Sequence, residues 1–131
     1  MKTSGVPMYR SFKEMPAWQQ AMEIAERVHS LTDHLPKKED YGLTSQIRRS
    51  ALSISANIAE AFGRKHLLDK VNFYYHARGS LTETQSHIEY SRRVGYVADN
   101  DADSVDHALS KLYLELNKII ATLKDMAPSR S

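Results

Sequence analysis

The sequence predicts an all-α fold, an antiparallel up-down-up-down four-helix bundle, and three observations predict it. Four segments place apolar residues at three- and four-residue steps, the repeat of one helix face. No stretch alternates β-branched and polar residues as a half-buried strand would. The links between segments are short, and short links between long helices make consecutive helices antiparallel neighbours. At 131 residues the chain suits one domain. It divides into a loose arm over 1–13, the bundle over 14–126 and a frayed tail over 127–131.

The first helix opens at Met15-Pro16-Ala17, because the N–H that proline lacks has no partner in a first turn anyway. Trp18, Ala21, Met22, Ala25, Val28, His29 and Thr32 share a face, which makes His29 a partly buried, hydrogen-bonded residue. Leu35-Pro36 closes the helix, and Lys37 to Tyr41 form a charged connection. The second helix starts at Gly42 or Thr44, with Thr44 as its N-cap. Leu43, Ile47, Ala51, Ile54, Ile58 and Phe62 form its core stripe, and Gly63 suits the left-handed residue that ends many helices. Its small residues, among them Ser50, Ser53, Ser55 and Ala59, allow a neighbouring axis to come close.

The third helix runs from Leu68 to Val94, with Val71, Tyr74, Tyr75, Leu81, Ile88 and Ser91 inward. A mid-helix glycine costs about 1 kcal/mol relative to alanine. Gly79-Ser80 is therefore read as a packing step against the small residues of the second helix. Gly95 follows as the C′ residue. Asp99 to Asp103 form an acidic turn suited to the positive end of the next helix. That helix carries Val105, Ala108, Leu109, Leu112, Leu116, Ile119, Ile120 and Leu123, the clearest amphipathic pattern in the chain.

Composition removes several chemistries. The chain has no cysteine, so disulfides and thiolate metal or redox sites are excluded. No apolar run resembles a signal peptide or a membrane span, and a cytoplasmic location is expected. A di-metal bundle needs inward Glu-x-x-His pairs from two helices, and the sequence has no such inward pair; Glu83 and His87, four apart, share a face without a matching pair. There is no Gly-x-Ser-x-Gly elbow and no glycine-rich phosphate loop. No enzymatic activity, metal or cofactor is expected.

The polar residues allow two readings. A second stripe on the central helix carries Gln46, Arg49, Ser53, Asn57, Glu60 and Arg64. Gln46, Ser53, Asn57 and Glu60, with Glu83 of the third helix, are read as a polar network within the bundle or between subunits. Net charge is only +2, yet Thr44 to Gly95 hold eight Lys and Arg against four Asp and Glu. Arg48, Arg49, Arg64, Lys65, Arg78, Arg92 and Arg93 are the candidate nucleic-acid contacts, since arginine suits bidentate phosphate binding. Tyr74, Tyr75 and Tyr90 offer stacking surfaces for single-stranded bases. Equally, the arginines suit ion pairs with acidic residues of adjacent helices or subunits. Phe73, Tyr113 and Leu114 lie off the core stripes and favour self-association.

The run Tyr41-Gly42-Leu43-Thr44-Ser45-Gln46-Ile47-Arg48-Arg49, with Ser53-Ile54, Asn57-Ile58-Ala59-Glu60 and Gly63-Arg64, resembles the bacterial ribosomal-RNA intervening-sequence family of four-helix bundles. Arg78-Gly79-Ser80-Leu81 with Glu83 is similar to that family's second motif. Gly95-Tyr96 resembles its end, and Trp18 with Ala21 its opening helix, so the likeness spans roughly residues 12–125. Ala61 departs from it, standing where the family usually has glycine, which implies a slightly different helix end. The resemblance implies a left-handed antiparallel bundle assembled as a homopentamer. A more distant likeness, to the accessory protein of diversity-generating retroelements, implies non-catalytic nucleic-acid binding. The expected function is thus an oligomeric nucleic-acid-binding accessory protein, RNA being the favoured ligand. The alternative is a protein-interaction scaffold whose polar stripe mediates self-assembly or grips a partner.

Overall fold

The computed structural model describes residues 8–127, so the first seven residues and the tail from 128 lie outside the described residues. Four α-helices are present among them and no strand: α1 (Pro16–Thr32), α2 (Leu43–Gly63), α3 (Leu67–Arg93) and α4 (Asp99–Met126). Each helix packs on the next in the chain, and α1 closes the set against α4. Cross-helix bonds fix the directions of α3's two seams. Lys70 at the start of α3 reaches the end of α2, while Thr84 bonds Ser50 near α2's beginning. Arg78 meets Asn117, Gln85 meets Asp106 and Arg92 meets Asp99, so α4 runs back along α3.

The core fills from the expected stripes. Ile47, Ile54, Ile58, Leu81, Leu109, Leu112 and Leu116 are completely buried, with Ala21, Val28, Ala61 and Ala77 between them. Small residues let α2 and α3 approach: Ser50 and Thr84 are both fully buried and share a 2.8 Å hydrogen bond. The Ser50 hydroxyl in turn donates to the Ile47 carbonyl at 3.1 Å, so the buried pair leaves no orphan group. Ala61 is fully buried, so the departure from the family pattern adds one methyl to the core.

Several local expectations change. Thr44 is not a cap: α2 begins at Leu43 with Gly42 as its N-cap residue. Glu39 does the capping, its Oε1 accepting from the Leu43 N–H at 3.3 Å while Oε2 accepts from the Tyr96 hydroxyl at 3.1 Å. Thr44 Oγ1 is left as the one buried side-chain polar atom without a partner among the described residues. Gly63 is helical; among the described glycines the left-handed conformation belongs to Gly95 (φ 83°) alone. There Tyr96 N–H bonds back to Ser91 O at 2.8 Å and ends α3 as expected. Asp99 to Asp103 are already the first turn of α4, where Asp99 and Asp101 face its positive pole. His29 is exposed, and only its carbonyl is used. The described part of the arm, residues 8–13, is anchored, with a 3₁₀ turn at Phe12–Glu14, an edge contact from Phe12 to Trp18 at 5.1 Å, and Tyr9 against the core.

Gly79 overturns its packing role. It is exposed, and a Cβ built there would meet nothing within 4 Å. Gly79→Ala is therefore expected to stabilise the isolated fold by about 0.5–1 kcal/mol through helix propensity alone. Urea unfolding at fixed protein concentration reads it, and an unchanged or lowered midpoint would contradict it.

Candidate nucleic-acid and assembly surface

The seven basic candidates do not gather into one patch. Arg48 lies on the α1–α2 seam, where Nη2 donates to Asp33 at 2.7 Å and to His29 O at 3.1 Å, and Nε to Thr32 Oγ1 at 2.8 Å. Arg49 is on the other flank of α2, paired with Glu83 of α3 and donating to Gln46 at 3.2 Å. Arg78 turns toward α4, bonding Asn117 at 2.9 Å and stacking over the rings of Tyr75 (4.9 Å) and Tyr113 (5.7 Å). Arg92 and Arg93 both hold Glu89, and Arg92 also reaches Asp99 at 3.4 Å. Hydrogen bonds from Arg92, then Arg93, hold the Glu89 carboxyl down at about 2 and push the Arg92 guanidinium upward. These are exposed pairs, each of small worth in water.

At the far end of α2 the picture differs. Arg64 pairs with Glu60 at 3.0 Å and lies 4.5 Å over the Phe73 ring, and its side chain remains 44 % exposed. Lys65 is exposed and, alone among the seven, has no polar partner among the described residues. His66 beside it is the N-cap residue of α3 and makes no side-chain cap bond there.

The polar stripe becomes a row of short-range pairs along the α2–α3 seam. Gln46, Arg49, Glu83 and His87 form one connected group, with His87 Nε2 3.2 Å from Glu83 Oε2. Asn57 donates to the Ser53 carbonyl at 2.8 Å, and Glu60 belongs to Arg64. The Ser53 hydroxyl takes no part in this network. Glu26 and His29 stand at Glu-x-x-His spacing, but both are exposed. No group of three or more His, Asp or Glu is gathered as a metal site among the described residues.

The tyrosines separate by burial. Tyr74 is 3 % exposed and unavailable for stacking, whereas Tyr90 is 54 % exposed. Tyr75, expected inward, is exposed under Arg78. Phe73 and Tyr113 prove half-buried against the core, and Leu114 is the exposed one of that trio.

Sequence reasoning missed the outer surface of α3. Its exposed residues between Asn72 and Tyr90 are Asn72, Tyr75, His76, Gly79, Thr82, Ser86 and Tyr90, without an Asp, Glu, Lys or Arg. Beside it α2 exposes Leu52 (55 %), Ala56 and Gly63, interleaved with the exposed Arg49 and Glu60. The outer surface of α4 is instead studded with Asp101, Asp103, Asp106, Lys111, Lys118 and Lys124. The signal was present as a charge-free stripe at helical spacing, masked by the interleaved, half-buried Arg78, Glu83, Glu89 and Arg92. No described helix is long and apolar enough to cross a membrane.

Comparison with known proteins places this chain in a family. No functionally curated protein matches the sequence. A crystal structure of a Bacteroides thetaiotaomicron protein of unknown function, from the S23 ribosomal protein family, is similar at 27 % identity. It superposes with a TM-score of 0.74, covering 79 % of this chain and 97 % of that one. The profile of the 23S rRNA-intervening sequence proteins matches residues 13–121, nearly the whole described bundle. Four helices, the matched span and that structural neighbour agree, and the chain belongs to the 23S rRNA-intervening sequence protein family.

Proposed function

We propose that the chain is a non-catalytic, self-associating RNA-binding protein. Copies join through the outer face of α2 and α3, and each presents Arg64, Lys65 and His66 at the α2–α3 connection to RNA phosphates. The observation that carries the reading is the charge-free outer stripe of α3 beside exposed Leu52, Ala56 and Gly63. An uncharged stripe with exposed tyrosines, next to an exposed leucine, suits an interaction face, since such faces are depleted in charge and enriched in aromatic residues. A glycine at its centre leaves room for a partner's backbone to come close.

RNA enters through two supports: Lys65 has no polar partner among the described residues, and the family is described by its link to ribosomal-RNA intervening sequences. A single copy offers few free cations, but association repeats the Arg64–Lys65 corner in one assembly and raises affinity by multivalency. The arginines of the three seams serve mainly to lock helices together.

Light scattering and RNA titration test the two halves. The native protein is expected at a multiple of 14.9 kDa and the Leu52→Glu variant at one copy. Arg64→Ala/Lys65→Ala is expected to keep the native mass and lose about tenfold or more in affinity for structured RNA at low salt. A Leu52→Glu variant of undiminished mass overturns the interface. Absence of RNA binding at low salt leaves the scaffold reading, in which the same face grips a protein partner.

A further inference from the structure

At the end of the bundle that holds Arg64 and Lys65, the helices part around a cavity of about 360 Å³. Its walls are apolar: Met15, Ala17, Phe62, Ile119 and Leu123, with the Tyr74 ring among them. That volume lies within the range of pockets that bury small organic ligands. The polar groups inside are few. Lys70 Nζ donates to the Ala61 and Phe62 carbonyls at 3.1 and 3.0 Å, which uses two of the three ammonium donors and leaves one.

The Tyr74 hydroxyl, on a residue 97 % buried, has no hydrogen-bond partner among the described residues. Because the Tyr74 ring lines this open cavity, its hydroxyl is free to donate to a ligand acceptor placed there. Lys118 and Glu115 are the other charged groups lining the space, leaving an excess of one positive charge. Ala17 adds the N-terminal turn of α1, which carries no acidic residue and no side-chain cap. The positive pole there adds to the attraction for an anion.

We propose that this cavity binds a small amphipathic carboxylate, its apolar body among Met15, Phe62, Ile119 and Leu123 and its head on Lys70 and Tyr74. The free ammonium donor and the unpaired hydroxyl both suit a carboxylate oxygen. Burial lowers the pKa of Lys70, and an anion beside it offsets that desolvation. The site is separate from the outer α2–α3 face and from the RNA corner, so its occupancy is read without either.

Isothermal titration of the intact protein with octanoate, octylammonium and 1-octanol tests it. Octanoate is expected to bind one to one and octylammonium to give no heat. Lys70→Gln is expected to weaken octanoate about tenfold or more while leaving 1-octanol unchanged. Ile119→Trp, which fills the space from a half-buried position, is expected to abolish both with helical content retained by circular dichroism. Absence of octanoate binding, equal binding of octylammonium, or an Ile119→Trp variant that binds normally overturns the proposal. Should Lys70→Gln fail to fold, the octanoate–octylammonium contrast on native protein and the Ile119→Trp variant still decide it.

Discussion

Leu112→Ala is expected to cost about 2–5 kcal/mol of folding stability and to lower the melting midpoint by roughly 10–20 °C. Leu112 is completely buried on the inner stripe of α4, between Leu109 and Leu116, which are equally buried. Truncation removes three carbons' worth of burial and leaves a void that close-packed helices collapse into only partly. A chain of this size has about 5–15 kcal/mol in hand, so one such change consumes a large share. The control stands two residues away. Leu114 is 63 % exposed, and Leu114→Ala is expected to change stability by no more than about 0.5 kcal/mol. Chemical unfolding of both variants checks the pair, and similar losses for the two would contradict the assigned inward face of α4.

The second large effect appears at high pH. Burial, with Tyr9 adding to it, pushes the Tyr74 hydroxyl up to about 12, against 10 for a tyrosine in an unfolded chain. The folded state therefore holds this proton more tightly. The resulting stability is complete below pH 10 and is lost as pH rises toward 12. At about 1.4 kcal/mol per unit, the loss comes to about 2–3 kcal/mol across that window. Two other groups act nearby: Tyr96, raised by its hydrogen bond to Glu39, works in the same direction, and Lys70, lowered by burial, in the opposite one. The difference between native protein and Tyr74→Phe isolates the Tyr74 part. Guanidinium unfolding between pH 9 and 12 is expected to show native protein losing about 2–3 kcal/mol relative to Tyr74→Phe as pH rises, and a difference that stays constant would refute the buried hydroxyl.

The bundle was legible because its inner stripes are strong. Ile47, Ala51, Ile54 and Ile58, or Leu109, Leu112 and Leu116, repeat at helical spacing and all prove buried. Gly95 was readable because a glycine after a long helix has a single backbone reason to be there, a positive φ. Where the reading failed, the cause was tertiary. Tyr75 looked inward because α3 is flanked on both sides and its apolar pattern is broad; a position on its flank faces solvent under an arginine. Thr44 has the chemistry of a cap, but a carboxylate from the preceding turn takes that place. Gly79 was assigned to packing because a mid-helix glycine asks for a cause, and the side it faces is set by α3's rotation in the bundle.

The candidate site was legible in residue type and not in grouping. The sequence names Arg48, Arg49 and Arg78 as basic, yet their partners Asp33, Glu83 and Asn117 lie 15, 34 and 39 residues away. Interhelical register decides those pairings, and no local pattern carries it. The cavity was equally hidden, because its walls come from all four helices and from Tyr9. Arg64-Lys65, singled out at the end of the motif, is exposed in the structure, as Arg49 and Arg93 also are.

The two bonds of Glu39 have a reach beyond capping. One oxygen holds the first turn of α2 and the other the hydroxyl of Tyr96, just past the end of α3. The α1–α2 and α3–α4 connections, 57 residues apart at Glu39 and Tyr96, thereby share one carboxylate. Fraying of either connection strips a bond from the other, so this end of the bundle is expected to open as one unit, which hydrogen exchange of its amides would show. At the opposite end, beside the open cavity and Lys65, no carboxylate joins two connections among the described residues.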